Sequence, residues 1–89
     1  MTDVTWRLFA DIAEGADART VELTVAEPAT VAAALDALCA AHPAVAERVR
    51  TDGALRAEVN LLHNGASGAL DAPVAAGDEL ALFPPVSGG

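Results

Sequence analysis

The chain contains no lysine and no tyrosine, a single cysteine and only three aromatic side chains, Trp6, Phe9 and Phe83. With lysine absent, five arginines carry all the side-chain positive charge against thirteen acidic residues, giving a net charge of −8 and a pI near 4.3. Such a field repels phosphate backbones and anionic headgroups, so neither nucleic acid nor a membrane surface is an expected partner. The lone Cys39 cannot close an internal disulfide. With His42 and His63 it forms no CxxC or HxxxH spacing, so redox chemistry and a metal site are not expected. No run of about 18 apolar residues occurs. The opening MTDVTWRLFAD lacks the basic start and apolar stretch of a secretory signal, so a cytoplasmic location is expected.

What is present is small and alanine-rich. The 89 residues are too few for two cores of ordinary size, so one domain is expected. Apolar residues make up 53% of the chain, but 22 of them are alanine, which leaves a thin core and little room for an enclosed catalytic or cofactor cavity. An enzyme with its own deep pocket is not expected, nor is a bound cofactor.

Apolar and polar residues alternate from Val4 to Phe9, with Val4, Trp6 and Leu8 on one face and Thr5, Arg7 and Phe9 on the other. A turn over Gly15–Ala18 and a second alternating strand over Thr20–Val25 complete an expected hairpin. Thr30 is placed to cap a helix whose apolar stripe is Val31, Ala34, Leu35, Leu38 and Cys39, stopped by Pro43. The stretch from Ala44 to Glu58 reads as irregular. Val59–Leu62 reads as a third strand, Asn64-Gly65 as a tight hairpin turn, the region near Ala69 as a short fourth strand, and Glu79–Phe83 as the last. Two strands, a helix and further strands give an α+β class: a mixed sheet of about four to five strands on one main helix. The domain is expected to span residues 1–83, with an extended tail over 84–89.

That tail, Pro84-Pro85-Val86-Ser87-Gly88-Gly89, is where chemistry is expected. Two prolines favour an extended path, and six extended residues reach roughly 20 Å, enough to thread a partner's cleft. Glycine at positions 88 and 89 removes every Cβ beside the final carbonyl, so a narrow channel can admit the backbone and a nucleophile can approach. A chance Gly-Gly pair is expected at only about 0.5% from ordinary glycine usage. A free α-carboxylate, with a reference pKa of roughly 3.3–3.7, is ionised and a poor electrophile until activated. The chain has no GxxxxGK[ST] loop for a triphosphate, so ATP is expected to be used by another protein, with this chain acted upon.

These features resemble the ubiquitin-like sulfur-carrier family: the small subunit of molybdopterin synthase (MoaD), the thiamine sulfur carrier ThiS and the small archaeal modifier proteins. The likeness is carried by Leu8-Phe9-Ala10 with Glu14-Gly15, by Thr30-Val31, by Val59-Asn60 with Asn64-Gly65, and above all by the run from Gly77 to Gly89. Phe-Pro-Pro-Val-Ser-Gly-Gly resembles the molybdopterin and archaeal-modifier branch. The acidity and the lack of lysine, a composition like that of salt-loving archaea, favour the latter. The chain departs from the family in its longer Val59–Gly65 segment. The resemblance implies a β-grasp fold whose Gly89 is adenylated by an E1-like enzyme with ATP. The activated carboxyl then becomes a thiocarboxylate that donates sulfur for molybdopterin synthesis, or an isopeptide bond to a target lysine. Further partners implied are the large subunit of molybdopterin synthase and a protease that releases the tail. With no internal lysine, chains linked through this protein's own side chains are not expected.

Phe9, Leu62 and Phe83 fall on the opposite parity from the inferred core positions, so they are expected to form an apolar patch on the open sheet face, where the resemblance places the docking of protein partners. Pro84, Pro85, Gly88 and Gly89 are the expected tail-recognition residues. Cys39 is expected to be a small buried hydrophobe, and His42 and His63 exposed polar or capping residues and not ligands or bases, since neither has a carboxylate at a telling spacing. A non-covalent β-grasp adaptor, binding through its sheet face with an idle tail, stays open as the alternative.

Overall fold

A computed structural model describes residues 1–85. Strand β1 (Thr2–Leu8) buries Val4, Trp6 and Leu8 on one face, as the alternation requires. It pairs antiparallel with β2 (Thr20–Val25) in the register Val4↔Leu23 and Trp6↔Val21. The expected turn between them is instead a helix, α1 (Ala10–Ala16), ended by Asp17 in the left-handed conformation. Its sequence hides it. Only Ile12 is a large apolar residue in those seven positions, and its N-cap, Phe9, offers no side-chain hydrogen bond. Gly15 lets two helices approach closely: a Cβ there would meet the backbone of Ala44 and Val45 at 3.3 Å, tighter than an ordinary contact.

Helix α2 (Val31–Ala41) starts where the Thr30 hydroxyl accepts the amide of Ala33 at 3.1 Å, and its stripe Val31, Ala34, Leu35, Leu38 and Cys39 is buried. Burial raises the pKa of the Cys39 thiol, consistent with a packing role. The segment read as irregular is ordered as well. Pro43 opens a short helix, α3 (Pro43–Val49), as favoured at a first helical position, and Val45 and Val49, one turn apart, are fully buried. A two-stranded ribbon follows, β3 (Arg50–Thr51) with β4 (Ala54–Leu55), turned through Asp52-Gly53.

β5 (Asn60–His63) leads through Asn64 and Gly65, both at positive φ, into β6, which lies at Ala66–Ser67, earlier than the strand expected near Ala69. β7 (Asp78–Phe83) runs parallel to β1 and antiparallel to β5, giving a mixed five-stranded sheet in the order β2-β1-β7-β5-β6. Helix α2 packs across this sheet in the β-grasp arrangement. Trp6, wholly buried between them, donates its indole N–H to the Ala34 carbonyl at 3.2 Å, so the largest core side chain satisfies its polar atom. Burying each such large apolar side chain contributes about 1.5–3 kcal/mol.

His63 departs from expectation. It is half-buried, and its Nε2 lies 2.7 Å from the Asp78 carboxylate, which also accepts the Ala75 amide at 2.8 Å and the Asn64 side-chain amide at 3.1 Å. These bonds, the Ala75 amide foremost, hold the Asp78 carboxyl down at about 2. Asn64 in turn accepts the Glu79 amide at 2.8 Å, which ties the β5–β6 turn to the start of β7. Fifteen positions separate His63 from Asp78, so no local spacing announced the pair.

Candidate functional site

The end of β7 is the part of the fold from which the tail departs. Three strands fix it: Leu82 pairs with Leu8 of β1 and with Leu61 of β5, and these residues pack in the core. The next residue, Phe83, therefore faces the opposite side of the sheet, beside Asn60. Phe9 reaches the same place from the other direction. It stands just past β1, as the extended N-cap of α1 and not as a strand residue. The two rings stack with centroids 4.2 Å apart and planes 16° off parallel, a pair worth roughly 0.5–1.5 kcal/mol beyond its buried area. Phe9 is 38% exposed and Phe83 half-buried.

Leu62, half-buried, pairs directly with Ala81 on this same face, diagonal to Phe83. The sheet register therefore brings Phe9, Leu62 and Phe83 to one surface, with Ala81 in its middle. That Ala81 shares this face was visible in the alternation of β7. Arg7 and Glu79 border the surface in an exposed ion pair at 3.5 Å, of a kind that contributes at most about 1 kcal/mol. Beside Phe9 an open groove of about 740 Å³ is lined by Arg7, Arg19, Glu14 and Asp17 among others. Among the described residues no group of His, Cys, Asp and Glu is arranged to hold a metal ion, and no helix is long and apolar enough to cross a membrane.

Pro84 is half-buried and Pro85 exposed. Gly88 and Gly89, the residues on which the sequence places the chemistry, lie outside the described residues.

A model described as the ThiS family matches residues 6–89, from the second half of β1 through the final glycine. The chain belongs to the ThiS family. Within it, this ThiS-family protein is 59% identical over 85 residues to small archaeal modifier protein 1 of Haloferax volcanii, a match covering 94% of this chain and 98% of that one. It is 36% identical over 87 residues to small archaeal modifier protein 3 of the same organism, covering 93% and 95%. The crystal structure of the first of these relatives superposes with a TM-score of 0.92 at 57% identity, covering 98% of this chain and 99% of that one. CysO of Amycolatopsis orientalis, solved in complex with BexX, matches at a TM-score of 0.79 and 27% identity, covering 97% and 99%. The fold is therefore the β-grasp of the small ubiquitin-like carrier and modifier proteins, and the chain stands among modifiers and carriers, not among catalysts.

Proposed function

We propose that this protein is a small ubiquitin-like modifier and sulfur carrier whose reactive group is the Gly89 carboxylate. The carboxylate oxygen attacks the α-phosphate of ATP in the active site of an E1-like enzyme. Pyrophosphate leaves, and an acyl-adenylate remains. This converts a resonance-stabilised anion, ionised at any cellular pH, into an electrophile with AMP as leaving group. Attack by a lysine amine then forms the isopeptide bond, releasing AMP and a proton. Attack by a sulfide equivalent instead gives the thiocarboxylate, a donor of sulfur to molybdopterin synthesis. Both outcomes use one activated carboxyl and differ only in the nucleophile.

The observation that carries this reading is the join between fold and tail. A strand held on both sides by the core sheet runs without a turn through Phe83 into Pro84-Pro85, ahead of two residues that have no Cβ. A rigid body docked at Phe9, Leu62 and Phe83 would set the distance to the terminus within the reach of six extended residues, roughly 20 Å. The stacked rings, Phe9 exposed and Phe83 half-buried, support the docking role, since apolar side chains gathered at a surface mark protein contacts. The partners follow from the chemistry: an E1-like adenylating enzyme, lysine-bearing targets, an acceptor subunit such as that of molybdopterin synthase, and a protease able to cleave after Gly89. All act in the cytoplasm.

Digesting conjugates from a host that expresses this chain tests the proposal. Lysines bearing the tail's Gly-Gly remnant, or an oxygen-for-sulfur exchange at Gly89 in the intact mass, support it. A chain lacking Gly88 and Gly89 that performs the same cellular role would establish the non-covalent adaptor instead.

A further inference from the structure

The sheet has two edges, and they are unequal. β6 is two residues long, whereas β2 offers six and, among the described residues, pairs with β1 alone. The Leu8 amide donates to the Arg19 carbonyl at 2.8 Å, which sets the alternation of the ladder. Val21, Leu23 and Val25 direct their backbone groups to β1, so those of Thr20, Glu22 and Thr24 point away from the sheet. An open edge of this kind is a template for another strand, which is why such edges are commonly blunted by lysine, proline or a bulge. β2 has none of these.

Two further observations concern what such a strand would meet. On the helix side, Val21 and Leu23 are only half-buried although they face the core; the adjoining α2 presents small residues, among them the half-buried Ala33 and Ala37. On the other side, a shallow pocket of about 350 Å³ runs along β1 and β2, and its only charged side chains are Asp3 and Glu22.

We propose that the β2 edge is a second docking site, independent of the Gly89 chemistry, for an extended segment of a partner protein in which apolar residues alternate with lysine or arginine. Main-chain bonds to Thr20, Glu22 and Thr24 align the segment. Its apolar residues cover Val21 and Leu23, and its basic residues stand over Glu22 and Asp3. A second copy of this chain is the wrong occupant. It would bring a second net charge of −8 and a second Glu22 to the same edge.

The test is an NMR titration of the full chain with the synthetic peptide Thr-Val-Lys-Ile-Lys-Val-Thr and with its counterpart carrying Glu for Lys. Saturable shifts centred on Thr20–Val25, with slowed amide exchange at Glu22 and preference for the Lys peptide, are expected. Glu22→Pro removes an outward N–H that the fold does not use, a change edge strands tolerate, and should weaken binding about tenfold or more. Glu22→Lys does not depend on how proline is tolerated and should reverse the preference towards the Glu peptide. Shifts centred on Phe9, Leu62 and Phe83, no saturable binding at millimolar peptide, indifference to both substitutions, or self-association through β2 would each overturn the proposal.

Discussion

Replacing Asp78 by asparagine keeps the size of the side chain but removes the charge on which three hydrogen bonds converge, from the Ala75 amide, His63 and the Asn64 amide. The carboxyl is held at about 2 from a reference of 3.8. At about 1.36 kcal/mol for each pKa unit, the full shift corresponds to roughly 2.4 kcal/mol, and screening at the domain surface reduces this to about 1–2 kcal/mol. Because the folded pKa is depressed, this stability is fully present above the unfolded value. It is lost as pH falls from about 5 towards 2, with roughly half gone by pH 3. Denaturant unfolding of both proteins at pH 7 and pH 3 reads the effect directly. The expected result is a gap of about 1–2 kcal/mol at pH 7 that shrinks by about half at pH 3. At neutral pH it should appear as a drop in Tm of roughly 5–15 °C. A gap that is the same at both pH values would refute the reasoning, because the effect would then owe nothing to the carboxylate's charge.

Other consequences follow from the same geometry. Trp6→Ala empties the centre of the core and removes the indole bond that the Ala34 carbonyl accepts from across the core, so a loss of about 3–5 kcal/mol is expected in chemical denaturation, enough to unfold much of the population. Phe9→Ala, at an exposed position, should cost less than about 1.5 kcal/mol in the same assay, yet weaken capture by the activating enzyme in a pull-down; equal capture would remove the ring pair from the docking surface. Gly15→Ala should not bring the roughly 1 kcal/mol gain usual for this exchange in a helix, because the new methyl meets α3 backbone at 3.3 Å; a raised Tm would show that α1 and α3 separate freely.

The parts of the fold that were legible in the sequence are those where one face is apolar and the other polar. The alternation in β1, β2 and β7 and the stripe of α2 are burial patterns written directly in residue order, and Thr30 and Asn64-Gly65 have local geometric meanings. Helices α1 and α3 were not legible because seven residues carry too few large side chains to show a period. What fixes them is a contact between them, Gly15 against Ala44 and Val45, that has no local signature. The same holds for His63, whose partner Asp78 is brought near by strand pairing alone. At the candidate site, parity placed Phe9, Leu62 and Phe83 on one face, but the stacking of Phe9 on Phe83 depends on the parallel pairing of β1 with β7 and on α1 redirecting the chain after Leu8.

The most direct test of the Gly89 chemistry is ATP–pyrophosphate exchange by an E1-like enzyme from a host of this family, supplied with either the full chain or a chain lacking Gly88 and Gly89, after thermal melts have shown the two bodies equally stable. The full chain should support exchange and the shortened one should not. Equal exchange with both would mean that the activated group is not the carboxyl of Gly89.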